Sequence, residues 1–168
     1  AMPYAVFEIK CESINELTSN GTDSVTFMFS ANKGYAPDNM VKAASGGELS
    51  RLMLAIKSVA ARNNYIPTLI FDEIDTGVSG EVASKLGDIM KIMGETLQLI
   101  SITHLPQIAS KARNHFFVYK TIVDDKTHSN IRTLTYEERV NEIAKMLSNA
   151  EVTTEAMKAA EVLLLETH

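Results

Sequence analysis

Two short apolar runs with one amphipathic segment between them constrain the fold of this chain most strongly. Residues 68–71 and 97–103 are mostly apolar, and each has the length of one buried strand. In residues 80–93 the apolar side chains recur at helical spacing. A strand, a helix and a second strand in this order are typical of a parallel pair with a helical crossover. We therefore expect an α/β fold with a mostly parallel sheet flanked by helices.

The segments around this unit predict further helices and antiparallel edge strands. Glycine and proline in residues 33–44 predict a loop. Strands are predicted at residues 4–11 and 25–29, with a turn at 20–23, and a hairpin at 115–123 and 130–136, with a polar loop at 124–129. Helices are predicted from about residue 47 to residue 62, over 106–111, over 137–147 and over 153–166. We expect residues 1–168 to form a single domain.

Composition excludes several classes of protein. No apolar run approaches the ~18 residues that a membrane-spanning helix needs, and no signal peptide is expected. Cys11 is the only cysteine, so an intramolecular disulfide is impossible, which fits a reducing cytoplasm. The four histidines lack the spacing of a zinc site. A net charge of −5 argues against a wholly basic DNA-binding module.

The segment Ser45-Gly46-Gly47-Glu48 opens the first long helix and has two interpretations. It can be a capping box, in which Ser45 caps the helix and Glu48 reaches back. That interpretation does not explain two glycines in a first turn, where each weakens a helix by about 1 kcal/mol relative to alanine. Glycines also allow another molecule to approach the backbone, and a helix start attracts phosphate. Capping and anion binding both remain open here.

Asp72 and Glu73 directly follow the first buried strand. They can be solvated carboxylates at a strand end, which is the commoner case for an isolated pair. They can also be functional: Asp72 would then hold Mg²⁺, which prefers oxygen ligands. Glu73 would orient and deprotonate an attacking water.

His104 follows the second buried strand. A lone histidine is more often structural than catalytic, but ligands of open α/β sheets bind beyond the carboxyl ends of the strands. If the two strands are neighbours, Asp72, Glu73 and His104 converge on one crevice. Asp75 begins a loop that would border that crevice, or it belongs to a simple turn.

Four motifs in this order resemble the C-terminal lobe of an ABC-type ATPase head. Residues 44–48 are similar to the ABC signature motif, and residues 69–73 resemble a Walker B strand with its catalytic glutamate. Asp75 matches the D-loop, and His104 matches the switch histidine. The flanking residues 29–32, 49–51, 74–80 and 102–109 resemble the SMC-like ATPases of bacterial DNA repair more closely than transporters. The resemblance covers nearly the whole chain.

The resemblance implies that two heads enclose ATP and that each head contributes different residues to the site. One head would supply Asp72 as the metal ligand and Glu73 and His104 as catalytic residues. The other would present Ser45, Gly46 and Gly47 to the γ-phosphate, and Asp75 would couple the two sites. Glu48 and Asp75 are also expected to belong to the cofactor-binding site. The implied cofactors are ATP and Mg²⁺. The phosphate-binding loop G-x-x-x-x-G-K-[ST] is absent from this sequence, so we expect the chain alone to be inactive.

The resemblance also implies partners and a cellular role. The partners would be an N-terminal Walker A lobe of the same protein, a second head in an ATP-dependent homodimer, the DNA ends of double-strand breaks, and a recombinase. The protein would act in the cytoplasm at the nucleoid, without a membrane partner. Lys111, Arg113 and Lys120 are the local basic residues for DNA contact, although a solvated helix end and hairpin are the commoner explanation for such residues.

Three alternatives remain open from the sequence. The chain could belong to the nucleotide-binding subunit of an ABC transporter. It could be a non-enzymatic interaction domain in which the capping box and the acidic pair are structural. A metal-dependent nuclease built on Asp72 and Glu73 would need more acidic ligands than the sequence places together.

Overall fold

The computed structural model of this protein describes residues 2–43, 45–63, 66–72, 74–148 and 151–165. The chain divides into two compact units, residues 1–65 and residues 66–168. That all 168 residues act as a single domain stays a prediction. None of the helices in the described ranges is both long and apolar enough to cross a bilayer.

The first unit contains an antiparallel sheet and one long helix. Its elements are β1 (Val6–Thr18), β2 (Gly21–Ser30), β3 (Asp38–Asn39), α1 (Met40–Ala43) and α2 (Gly46–Asn63), and the strand order is β1-β2-β3. The short strand β3 and the single turn α1 occupy the region that was predicted as a loop. The sequence pattern missed them because a two-residue strand and a four-residue helix are too short to show a period.

Aromatic side chains stabilise the pairing of β1 with β2. Phe7 stacks on Phe27 with ring centroids 5.8 Å apart, and Phe29, the partner of Phe7 in the register, is buried. Strand β1 continues seven residues beyond the predicted end at Cys11, through a mostly exposed polar segment. Polar residues on a solvated strand do not produce the apolar alternation that predicts strands, so this extension was not visible in the sequence.

The second unit begins with the predicted parallel pair. Its elements are β4 (Thr68–Asp72), α3 (Gly80–Met93), β5 (Gln98–Ile102), α4 (Pro106–Ala109), β6 (Phe116–Val123), β7 (Lys126–Thr133), α5 (Tyr136–Ser148) and α6 (Thr154–Leu165). Strands β4 and β5 pair in parallel over five residues, and α3 is the crossover helix. The α/β class is confirmed. Among the described strands, however, only this pair is parallel, because the other neighbours are joined by connections short enough for antiparallel pairing.

The hairpin of β6 and β7 is tighter than predicted. The two strands are joined by only Asp124 and Asp125, whose φ angles of 50° and 56° lie in the left-handed region. Such a two-residue turn matches the twist of paired strands, and aspartate tolerates this conformation better than most residues. The predicted loop at 124–129 was therefore too long. Its polar residues 126–129 belong to β7.

Helix α4 packs closely against α3 at Gly87. A Cβ atom at this position would lie 2.9 Å from the Gln107 carbonyl oxygen and 3.0 Å from Lys111 Cγ. Beside this contact, Lys111 Nζ forms an ion pair with Asp88 Oδ1 at 2.9 Å, and the Lys111 side chain is only 9% exposed. The glycine and the ion pair together fix α4 on the crossover helix.

Helix α5 fixes the other end of α4. The Arg139 guanidinium donates hydrogen bonds to the carbonyl oxygens of Ala112 at 2.7 Å and Arg113 at 3.2 Å. These carbonyl groups follow the end of α4, where backbone acceptors lack helical partners. Behind this contact, α5 and α6 pack through a core that contains Val140, Ile143, Ala144, Ala160 and Leu164.

We expect Gly87→Ala to destabilise the protein. The added methyl group meets a backbone oxygen that cannot move independently, so overpacking outweighs the gain in helix propensity, and the free energy of unfolding falls by about 1–2 kcal/mol. Urea unfolding followed by circular dichroism measures this change. Gly46→Ala is the matched control, because a Cβ atom there meets nothing within 4 Å. Equal stability of the two variants would contradict the close packing of α3 on α4.

Candidate functional site

The carboxyl ends of β4 and β5 lie side by side. Asp72 is the register partner of Ile102, so Thr103 and His104 follow at the same edge of the strand pair. This confirms that the two apolar strands are neighbours. Asp72 is exposed at this edge, whereas Glu73 lies outside the described residues, as does Ala44 of the signature-like segment. The roles of all these residues stay predictions.

Asp75 points inward rather than toward solvent. It begins a turn in which the Val78 N–H donates to the Asp75 carbonyl oxygen at 3.0 Å, and its side chain is 0% exposed. The Thr103 hydroxyl donates to Asp75 Oδ2. The second carboxyl oxygen, Oδ1, is buried and has no hydrogen-bond partner among the described residues. Asp75 therefore connects the turn after β4 to the segment after β5.

His104 lies next to this connection with its imidazole in solvent. Its side chain is 69% exposed, and Nδ1 lies 3.8 Å from Asp75 Oδ2, which is too far for a hydrogen bond. The Leu105 N–H donates to the Thr103 hydroxyl oxygen at 3.0 Å. The backbone on both sides of His104 is thus fixed by Thr103, while the imidazole remains accessible to a ligand.

The segment Ser45-Gly46-Gly47-Glu48 forms the start of α2, as predicted. The Ser45 N–H donates to Glu48 Oε2 at 3.0 Å, which is the reach-back contact of a capping box. The same backbone hydrogen bond is the largest cause that lowers the pKa of Glu48 below its ordinary value, and the Ser45 side chain adds to it. The reach-back contact of the predicted capping box is therefore present at this helix start, and it explains Glu48.

Capping does not explain Gly46. Its φ angle is not in the left-handed region, and a Cβ atom at this position would meet nothing within 4 Å. Neither the backbone conformation nor packing against the described residues requires glycine there. The missing side chain leaves the first turn of α2 open on its outer surface, where a molecule from outside could reach the backbone.

The basic residues considered for DNA contact are not equivalent. Lys111 is mostly buried and is paired with Asp88, so its charge is compensated within the protein. Arg113 and Lys120 are exposed. DNA contact through Lys111 would require breaking the ion pair, so this residue contributes little to a basic surface.

Asp72 is the described residue that could bind a divalent cation. No group of three or more histidine, cysteine, aspartate or glutamate side chains with metal-site geometry occurs in the described ranges. A complete protein cage for a metal ion is therefore not built from these residues. Mg²⁺, however, commonly binds through one or two carboxylates together with water and substrate phosphates, and a single exposed aspartate suits that mode.

Solved structures show which known fold this chain shares. A chain from a structural study of ATP-driven dimerisation and DNA-stimulated activation of SMC ATPases superimposes with a TM-score of 0.60 at 18% identity, covering 89% of this chain and 85% of that chain. The Smc head domain with a coiled coil and joint from Pyrococcus yayanosii gives a TM-score of 0.62 at 19% identity, covering 96% of this chain and 26% of that one. The fold is that of SMC ATPase heads.

Sequence comparison identifies the family within that class. The chain is 42% identical to the DNA repair protein RecN of Rickettsia felis over 163 residues, 39% identical to RecN of Haemophilus influenzae over 165 residues, and 41% identical to RecN of Bacillus subtilis over 149 residues. These matches cover 97%, 98% and 89% of this chain. Along nearly its whole length, the chain belongs to the RecN family of DNA repair proteins.

The chain represents only part of such a protein. It spans about 30% of the length of the RecN proteins from Rickettsia felis and Haemophilus influenzae. No family model matches the chain.

Sequence reasoning missed the role of Thr103. The pattern assigned this residue to the end of an apolar strand, and only the structure shows that its hydroxyl bonds Asp75, which is 28 positions earlier in the chain. One signal was present in the sequence, namely a hydroxyl residue immediately before the candidate switch histidine. That signal alone does not identify a partner.

We expect Glu48→Ala to weaken the start of α2. Loss of the reach-back contact should lower the free energy of unfolding by about 0.5–1 kcal/mol at neutral pH. Because the folded pKa of Glu48 is lowered, its contribution is present above the unfolded pKa of about 4.3 and is lost as the pH falls through the folded value.

The test compares unfolding curves of the variant and the parent at neutral and acidic pH. Glu48→Gln serves as the control, because its amide oxygen can still accept the Ser45 N–H but does not titrate. A stability difference for Glu48→Ala that is constant down to about pH 3 would contradict the assignment of this effect to the carboxylate.

Proposed function

We propose that this chain is the C-terminal lobe of an SMC-like ATPase head, and that it binds and hydrolyses ATP between two dimerised heads. The observation that carries the proposal is the parallel pairing of β4 with β5, which brings Asp72 and His104 to one edge. In open α/β sheets, ligands bind beyond the carboxyl ends of the strands. RecN membership and the SMC head fold support ATP as the ligand.

The residues after β4 and β5 act on the nucleotide of their own head. Glu73 orients and deprotonates the attacking water, and His104 contacts the γ-phosphate. The exposure of His104 beside a fixed backbone supports this role, because the imidazole can meet a ligand without rearrangement of the chain. A bound Mg²⁺ would be held by Asp72 and would neutralise charge on the phosphate oxygens.

The start of α2 acts on the nucleotide of the opposite head. Ser45, Gly46 and Gly47 present a hydroxyl group and backbone N–H groups to the γ-phosphate, where negative charge spreads in the transition state. The open space at Gly46 supports an external ligand at this position, since a Cβ atom there would meet no described atom within 4 Å. Glu48 keeps the helix start ordered through Ser45.

Asp75 couples the two sites across the head interface. Its carboxyl group bonds the segment that carries His104, while Thr76 and Gly77 of the same turn are exposed. A partner head that contacts this turn would therefore influence the position of His104. ATP thus holds the heads together, and hydrolysis releases them.

In the complete protein this activity serves the repair of DNA double-strand breaks by recombination. An N-terminal lobe with the Walker A loop completes the head, since the chain lacks that loop. Broken DNA ends and a recombinase are the expected partners, in the cytoplasm at the nucleoid. The name DNA repair protein, which the RecN relatives carry, supports this assignment.

Mixing two inactive variants of the full-length protein tests whether each ATP site is shared between heads. Gly46→Asp places a side chain and a negative charge at the open helix start, and Glu73→Gln removes the catalytic base. Each variant alone should lose at least about 100-fold in ATP hydrolysis. In a mixed dimer, one site receives an intact Glu73 from one molecule and an intact α2 start from the other, so activity should return.

The control for this experiment is a mixture of Gly46→Asp with a variant that carries both substitutions. Every site in that mixture lacks at least one required group, so no activity should return. Activity that fails to return in the first mixture, although both proteins are folded and associate, would place the two halves of the site in one molecule.

Glu73→Gln should separate binding from hydrolysis in the full-length protein. Glutamine retains the size of glutamate but cannot accept a proton, so hydrolysis stops while ATP continues to hold the heads together. Light scattering at saturating ATP should therefore show a persistent dimer. Removal of ATP should return the protein to the association state that it has without nucleotide. A monomer at saturating ATP would contradict the proposed role of the nucleotide.

The chain by itself should not hydrolyse ATP, because it lacks the loop and lysine that bind the β- and γ-phosphates. Phosphate release from the purified chain with Mg²⁺ and ATP measures this directly. Turnover that Glu73→Gln abolishes would contradict the expected dependence on a Walker A lobe.

A further inference from the structure

The hydroxyl group of Thr103 forms two hydrogen bonds that enclose His104. It accepts the Leu105 N–H at 3.0 Å, which closes a small ring across the backbone of His104. It donates its own proton to Asp75 Oδ2. A single hydroxyl can do both at once, because it carries one donor and two acceptor positions.

The Asp75 carboxyl group, which accepts the hydrogen bond from the Thr103 hydroxyl, is well fixed. The Asp75 side chain is 0% exposed, and its backbone is part of the turn that leads to α3. A buried carboxyl oxygen is costly to leave unpaired, and Oδ1 already has no hydrogen-bond partner among the described residues. The hydrogen bond from the Thr103 hydroxyl to Asp75 Oδ2 is therefore costly to break.

Among the described residues, no contact of comparable strength holds the imidazole of His104 itself. Nδ1 is 3.8 Å from Asp75 Oδ2, beyond hydrogen-bond distance, and most of the ring is in solvent. The position of the ring therefore depends on the backbone of residues 103–105. That backbone depends on the Thr103 hydroxyl and on the short helix α4 that follows.

We infer that Thr103 is a positioning residue, whose hydroxyl transmits the location of Asp75 to His104 and so sets the imidazole at the γ-phosphate. The inference rests on the proposed function, because it requires His104 to act on ATP. Thr103 itself contacts neither nucleotide nor water in this role. A shift of Asp75 moves the hydroxyl, the hydroxyl moves the backbone, and the imidazole follows.

Substitutions of Thr103 in the full-length protein test this inference. Thr103→Val keeps the shape of the side chain and removes the hydroxyl, and Thr103→Ser keeps the hydroxyl and removes a methyl group. For Thr103→Val we expect kcat to fall about tenfold or more, because small misplacements of reacting groups cost up to about 100-fold. The KM for ATP and ATP-dependent dimerisation should stay within about twofold of the parent, and Thr103→Ser should restore most of kcat.

Combination with His104→Ala distinguishes a failure of this inference from a failure of the proposed function. If Thr103 acts through His104, the double variant hydrolyses ATP at the same rate as His104→Ala alone. Rates that multiply would overturn the inference and leave the role of His104 intact. Unchanged hydrolysis by His104→Ala would overturn the proposed role of His104, and the inference with it.

Thr103→Val leaves the Asp75 carboxyl group buried without its donor, which can prevent folding. The double variant Asp75→Leu/Thr103→Val avoids this problem, since two apolar groups of similar shape replace the pair. It should fold and lose the same kcat as Thr103→Val, and adding His104→Ala should bring its rate to that of His104→Ala alone. A folded double variant with the kcat of the parent would overturn the inference.

Discussion

Parallel pairing of β4 with β5 is the interaction on which the candidate site depends. Five residue pairs in register fix the relative position of two strand ends, where Asp72 is the last residue of β4 and Thr103 and His104 follow β5. A shift of the register by one residue would turn every side chain of one strand to the opposite face. The crossover helix α3 and the short helix α4 support the same edge, through the close approach at Gly87 and the ion pair of Lys111 with Asp88.

Burial separates the roles of the polar residues at this edge. Asp75 is inaccessible and bonds Thr103, whereas the His104 side chain is exposed and, in the part of the chain that the structure describes, is positioned through its backbone. The buried group can therefore act only through its neighbours, and the exposed imidazole can act on a ligand directly. At the start of α2, Glu48 is occupied by Ser45 while the surface at Gly46 is open. In both places a structural contact and an accessible group are adjacent, so capping and ligand binding need not exclude each other.

The sequence predicted the parallel unit closely, because buried strands and an amphipathic helix produce strong apolar patterns. Helix α3 has the predicted bounds, β4 is one residue longer than predicted, and β5 is one residue shorter at each end. The polar parts of the fold were predicted less well. The exposed end of β1 and the first residues of β7 have no apolar pattern, and the turn at Asp124 and Asp125 is shorter than its polar surroundings indicate. The burial of Asp75 and Lys111 depends on partners 28 and 23 positions away, which local patterns do not contain.

The central claim is that the strand ends and the start of α2 are the two halves of ATP sites shared between molecules. The structure of the full-length Glu73→Gln protein with ATP and Mg²⁺ tests this most directly. The claim predicts a dimer in which each γ-phosphate lies between Asp72 and His104 of one molecule and Ser45 to Gly47 of the other. A nucleotide whose γ-phosphate contacts both groups of residues from the same molecule, or neither group, would contradict it.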